Sequence, residues 1–180
     1  MSEPARRLDV RVGSSTDALT PVSRATRSFA ATRGQWLSLA ALAAAAIGAD
    51  QLTKWIVASN LAYGEGIHVL GPFWIRHVQN SGIAFGFFPN ALAAVIILTA
   101  GAIAWMVVYF ARSGGRHPVI PVALGLVIGG SVSNLFDRIR LGHVTDFLDF
   151  SHWPAFNLAD SFIVIGVGII LIALVAADRG

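Results

Sequence analysis

Apolar residues run through most of this chain without the polar interruptions that a water-facing helix needs. From Ala91 to Phe110 there is no charged side chain, and the stretch is long enough to cross a bilayer as a helix. Val119 to Phe136 and Ser161 to Ala177 have the same character and reach spanning length once flanking residues are added. A fourth run, Trp36 to Ala58, is interrupted near its end by Asp50, Gln51 and Lys54. The pattern predicts four transmembrane helices. A soluble four-helix core would show a polar outer face on each helix, and the second, third and fourth runs show none.

Between the first two runs the pattern changes. His68-Val69-Leu70 and Phe73 to Val78 are β-prone and are bounded by Gly71-Pro72, which predicts short strands around a turn. Asn80 to Phe88 follows, rich in Gly and aromatics. Phe73, Trp74, Phe85, Phe87 and Phe88 suit the membrane–water interface, where aromatic rings anchor a protein. The expected fold is therefore an all-α membrane protein of four transmembrane helices with a small β-containing extracytoplasmic platform. The other outer segment, Asp137 to Ala159, reads as a loop that brings Asp146 near Asp160.

Charge sets the orientation. Arg6, Arg7, Arg11, Arg24, Arg27 and Arg33 precede the first run, Arg112 and Arg116 lie between the second and third, and Arg179 follows the fourth. Only Lys54, Arg76, Arg138 and Arg140 fall on the other side. This bias assigns both termini to the cytoplasm and Asp50, Asp137, Asp146 and Asp160 to the outer face or its neighbourhood. Apolar residues make up 55% of the chain and charged residues 13%; the net charge of +3 follows from topology, so no nucleic-acid partner is expected. Residues 1–34 lack apolar periodicity and read as a disordered cytoplasmic tail, leaving residues 35–180 as the membrane domain. The tail and the alanine run after Trp36 imitate a signal peptide. The tail is long for that role and the apolar run continues directly into Asp50, so an uncleaved first span is expected. With no cysteine, thiol nucleophiles, disulfides and thiolate–metal sites are excluded. No His, Asp and Glu set stands at metal-ligand spacing, so neither metal nor cofactor is expected.

The polar residues left at the membrane edge are the candidate chemistry. Ionisable groups there are costly, and two carboxylates that come close resist ionising together, so one can hold a proton while the other acts as a base. Asp146 lies between apolar neighbours Val144 and Phe147, an environment that favours the protonated form. Asp160 begins the fourth span, where the helix dipole favours an anion, with Asn157 three residues before it. Alone, Asp160 reads as an ordinary helix cap; the pair suggests an acid and a base. Asp50 and Lys54 are an i, i+4 ion pair in the favourable order and read as a buttress. Asn80 sits in an Asn-Ser-Gly turn signal, equally suited to turn chemistry or to holding substrate or an acid. Asn134, Asp137 and Arg138 share one face at the end of the third span, where Arg138 is expected to neutralise nearby acids and Asp137 to be structural.

Five motifs in order, Asp50-Gln51-x-x-Lys54, Asn80-x-Gly82-x-Ala84-Phe85, Ser133-Asn134-x-x-Asp137-Arg138, Thr145-Asp146-Phe147 and Phe156-Asn157-x-Ala159-Asp160, resemble the lipoprotein signal peptidase family, also called signal peptidase II. The resemblance runs from about Trp36 to Ala177. Ser133 departs from a common Gly, Thr145 from a common Val, and the link from Asp146 to Asn157 looks short. It implies an aspartic endopeptidase of the bacterial cytoplasmic membrane with Asp146 and Asp160 as the catalytic pair. Asp50, Lys54, Asn80, Asn134, Arg138 and Asn157 would support the site or bind substrate. The implied partners are membrane lipid and prolipoproteins cut just before a diacylglyceryl-modified cysteine, by an enzyme expected to act as a monomer. The rival reading is a small proton-coupled transporter, which also uses membrane carboxylates. Transport predicts polar groups near the midplane, whereas these acids gather at one face.

Overall fold

The computed structural model describes residues 30–81, 91–114 and 117–177. Four helices are long and apolar enough to span a membrane. They are α1 (Arg33–Asn60), α2 (Ala91–Ser113), α3 (Ile120–Leu141) and α4 (Leu158–Ala177). Four short strands, β1 (Gly66–Leu70), β2 (Phe73–Asn80), β3 (Val144–Phe150) and β4 (Trp153–Phe156), form one antiparallel sheet in that order. The four-span architecture with its small sheet is the expected one.

The helices outrun the apolar stretches that announce them, because their caps lie beyond those stretches. Thr32 and Gln35 form a capping box: the Thr32 hydroxyl accepts from the Gln35 N–H and the Gln35 side chain accepts from the Thr32 N–H. α1 therefore starts at Arg33, inside the segment assigned to the tail, and runs unbroken through Asp50, Gln51 and Lys54. α3 passes Phe136 by a full turn before Gly142, at φ 77°, ends it by donating its N–H to the Arg138 carbonyl at 3.1 Å. That extra turn carries Asp137 and Arg138.

One expectation needs correcting. Asp146 is on a strand, not in a loop: the segment after α3 supplies β3 and β4. β3 pairs with β2, with Val78 opposite Asp146 and Asn80 opposite Val144. The strand went unread because Val144 to Phe150 puts an acid on each face, Asp146 on one and Asp149 on the other, which hides the period-2 alternation. The aromatics Phe85, Phe87 and Phe88 and the rest of the Asn80 motif after Ser81 lie outside the described residues.

α3 is the central helix, packed against α1, α2 and α4. Lipid tails are as apolar as side chains, so close packing rather than hydrophobicity must hold such helices together. Gly129 and Gly130 allow it. A Cβ on Gly129 would stand 2.7 Å from the Ala43 carbonyl of α1, and one on Gly130 would overlap the Ala159 carbonyl of α4. The sheet is seated through Val57, Leu61 and Phe147, which pack together with Ile75 and Leu158.

Gly130→Ala is expected to lower stability by about 1–3 kcal/mol, the usual range for overpacking. Gly48→Ala, where an added Cβ meets nothing, should be neutral or slightly stabilising. Thermal unfolding of the purified proteins in detergent checks both.

Candidate active site

The site begins on α1 and α3. Asp50 and Lys54 sit one turn apart and pair at 2.6 Å, both almost wholly buried. Lys54 also reaches Asp137 at 2.7 Å and the Asn134 side-chain oxygen at 2.9 Å, so its three N–H groups have three acceptors. Gln51, on the same face, donates to Asp137 at 2.8 Å and to the Ser133 hydroxyl at 2.9 Å. Ser133 donates in turn to Asp50 at 2.7 Å. The other Asp50 oxygen crosses to α4, where it accepts the Ala159 backbone N–H at 2.9 Å. That N–H is one of four that a helix start leaves unsatisfied.

Asn157, fully buried, is the cap of α4. Its side-chain oxygen accepts the Asp160 N–H at 3.0 Å, and Asp160 accepts the Asn157 N–H at 3.3 Å. This is a capping box with Asp at the third helical position. Asp160 is therefore not the cap that a lone Asp suggested. Its second oxygen accepts from the Asn134 amide at 2.8 Å.

Asp146, 1% exposed, faces this helix start from β3. One of its oxygens accepts from Asn157 at 2.7 Å and the other from Asn80 at 2.9 Å. The Asn157 amide also donates to Asn134 at 3.1 Å, so Asp146, Asn157, Asn134 and Asp160 form one hydrogen-bonded chain. Burial pushes the Asp146 carboxyl up to about 6 from 3.8. The Asn80 hydrogen bond opposes the rise, the Asp160 charge adds to it, and Asn157 and Lys54 oppose it in turn. The rise is in the direction expected for Asp146, with burial as its main cause, and the Asn80 and Asn157 amides oppose it.

The fold brings Asp50, Lys54, Asn80, Asn134, Asp137, Asn157, Asp146 and Asp160 into this one network. Arg138 stands apart. Its guanidinium donates to the Asn134 backbone carbonyl of its own helix at 3.4 Å, and among the described residues no acid pairs with it. Lys54 is the cation that neutralises the acids, the part expected of Arg138. Gln51 and Ser133 were not singled out as site residues. The signal was present for Gln51, three residues before Lys54 and so on its helical face. Ser133 could be found only from the α1–α3 contact.

Residues 42–176 match a family model described as signal peptidase (SPase) II. The lipoprotein signal peptidase of Symbiobacterium thermophilum is 41% identical over 143 residues, covering 77% of this chain and 94% of that protein. That of Brevibacillus brevis is 40% identical over 134 residues, covering 73% and 90%. A solved "bacterial membrane enzyme structure by the in meso method at 1.9 A resolution" superposes with a TM-score of 0.71 at 30% identity, over 78% of this chain and 92% of that one.

Two outcomes follow from the network. Lys54→Met leaves two buried carboxylates without their cation and is expected to cost roughly 3–5 kcal/mol. Asp50→Asn costs less, because Lys54 keeps Asp137 and Asn134. The double variant should be less damaging than the sum, and a double-mutant cycle of unfolding midpoints that proved additive would contradict the pairing. For Asp146, a protonated-carboxyl infrared band that vanishes in Asp146→Asn is expected below about pH 6 and should fade as pH rises through it. The Asn80 hydrogen bond favours the carboxylate, so Asn80→Ala should move that fading to higher pH; movement to lower pH would refute the assignment.

Proposed function

Because this chain belongs to the signal peptidase II family, we propose that Asp146 and Asp160 are the acids with which it cuts signal peptides from prolipoproteins. The enzyme is a bacterial membrane peptidase of the aspartic type. The observation that carries the assignment of the pair is the amide chain that joins one buried carboxyl on β3 to one half-buried carboxyl at the start of α4. It holds the two acids in neighbouring places while leaving them unequal. Asp146 is buried with a raised pKa, which favours it as the acid that carries the shared proton. Asp160 is partly open, at a helix N-terminus that favours negative charge.

In the proposed reaction, Asp160 takes a proton from water and the water oxygen attacks the peptide carbonyl carbon. Asp146 gives its proton to the carbonyl oxygen as that oxygen gains charge. When the tetrahedral species collapses, the C–N bond breaks, the amine leaves with the proton held on Asp160, and the hydroxyl proton returns to Asp146. The pair ends as it began, and its two apparent pKa values belong to both acids together.

The bond cut lies just before a cysteine carrying a diacylglyceryl group, a substrate that reaches the site from within the membrane. The nine-to-four bias of Arg and Lys supports cytoplasmic termini and a site on the extracytoplasmic side of the cytoplasmic membrane. It also supports a cytoplasmic tail ahead of the Thr32 cap of α1, with the peptidase domain following it in place of the boundary at 34/35. The enzyme is proposed to act as a monomer. Arg138, with no acid to neutralise among the described residues, is proposed to meet the substrate, and Asn80 to hold both Asp146 and the substrate backbone. Nothing favours the transport reading, since α2 has no charged residue before Arg112 and α4 none between Asp160 and its end.

The test is incubation of the purified protein with a lipid-modified precursor and with its unmodified form. The wild type should cut the first in preference to the second. Asp146→Asn and Asp160→Asn should each reduce the rate by roughly 10³-fold or more while precursor binding persists, and the double variant should be little worse than either single one. Near wild-type cleavage by Asp160→Asn would end the two-acid mechanism.

A further inference from the structure

Ser133 is wholly buried, and its side-chain hydrogen bonds go to neither Asp146 nor Asp160. Its hydroxyl has one proton to give and lone pairs to fill. Gln51 fills one lone pair, donating at 2.9 Å, and also donates to Asp137 at 2.8 Å. The Ser133 proton goes to Asp50 at 2.7 Å, on the same oxygen that pairs with Lys54. The hydroxyl therefore has a fixed direction. An amide proton arriving on one side turns its own proton to the carboxylate on the other.

What this adds to Asp50 is not charge. Lys54 neutralises that carboxylate with or without Ser133. Lys54 has a flexible four-carbon stem and also serves Asp137 and Asn134, so it can follow the carboxylate through a range of positions. Ser133 is a short side chain on a packed helix and meets Asp50 from one direction. With one oxygen held there, the other accepts the Ala159 N–H at 2.9 Å. Ala159 immediately precedes Asp160, and its carbonyl lies against Gly130, one turn before Ser133 on α3. The residue after Ser133, Asn134, donates to the Asp160 carboxylate at 2.8 Å. α3 thus holds Asp160 in two ways: its carboxylate through Asn134, and its backbone through Ser133, Asp50 and Ala159.

We propose that Ser133 is a positioning residue for cleavage: its hydroxyl fixes the Asp50 carboxylate against the first turn of α4 and so sets where Asp160 stands relative to Asp146. This rests on the reading above, in which those two acids perform the cleavage. A mere buttress of the ion cluster would show its loss in stability alone. A positioning group shows it in turnover, because a misplacement of about 1 Å at a reacting centre can cost up to roughly a hundredfold in rate. Ser133 is two hydrogen bonds away from the backbone of α4, and Asn134 still holds the Asp160 carboxylate when the hydroxyl is gone. The displacement is therefore a fraction of that, and the expected loss is about tenfold in kcat.

The experiment measures kcat and KM for a lipid-modified precursor, with each purified protein well below its unfolding midpoint. Ser133→Ala keeps the helix and loses the hydroxyl; kcat should fall roughly tenfold while KM stays within about twofold of the wild type. Ser38→Ala, which removes an exposed hydroxyl bonded to its own helix at 3.0 Å, should leave kcat as it was. The deciding measurement repeats Ser133→Ala in the Asp50→Ala protein. Ser133 then has no carboxylate to orient, and kcat should match that of Asp50→Ala to within about twofold. Deuterium exchange at the Ala159 amide should also quicken in Ser133→Ala, because its acceptor is no longer held. Ser133→Cys, close in size but a weak donor, should give an intermediate kcat and stands in if the alanine variant does not fold. An unchanged kcat in Ser133→Ala, or in Ser133→Cys where that stands in, would overturn the proposal. So would a change confined to KM, or losses that multiply in the double variant. Failure of the wild type to cut any lipid-modified precursor is a different result, which removes the peptidase reading itself.

Discussion

One ammonium group, on Lys54, is the centre on which this structure turns. Two carboxylates, Asp50 and Asp137, and one amide oxygen converge on it from two helices at the edge of a bilayer. Each charge alone would cost several kcal/mol to bury, and the cluster is tolerable only because every partner is in place. Position matters as much as charge. Asp50 spends one oxygen on Lys54 and Ser133 and the other on the first turn of α4, so the ion pair that joins α1 to α3 also fixes where α4 begins.

That placement matters because α4 begins at the proposed pair of acids. Asp160 is in its first turn, and Asn157 serves the helix and the acids together. Its carbonyl oxygen caps the helix, and its amide binds Asp146 and Asn134. A capping residue has a narrow choice of geometry, so the carboxyl that depends on it inherits that order. Asn134 does the same from α3, accepting from Lys54 and donating to Asp160. The asparagines thus connect the buttressing ion cluster to Asp146 and Asp160 without adding charge. This is how an ion-paired cluster and the buried Asp146 carboxyl share one small volume.

Backbone approach is the other requirement. Four of the links between helices are hydrogen bonds of 2.7–2.9 Å, which require the helix backbones to lie close together. Gly129 and Gly130 remove the Cβ atoms that would hold α3 away from α1 and α4 at that level. In lipid, where hydrophobic attraction between helices is absent, such contacts and the polar links they permit supply the packing energy.

Much of this was legible in the chain itself. The four spans follow from apolar runs of bilayer length, and the Asp50–Lys54 pair follows from helical spacing, because both are properties of neighbouring residues. The acids stood out because charge at a membrane edge is expensive wherever it occurs. Other features belong to tertiary structure. Asp146 lies on a strand only because β2 is there to pair with β3, and acids on both faces of that strand conceal its alternation. Lys54 rather than Arg138 neutralises the acids, a matter of which side chains α1 and α3 turn toward each other. Ser133, Gln51 and Asn157 take their roles from partners 82, 86 and 23 residues away in the chain. Local periodicity reports which face of an element is apolar; it cannot report what the opposite element will present, and a hydrogen-bonded site is made of those meetings.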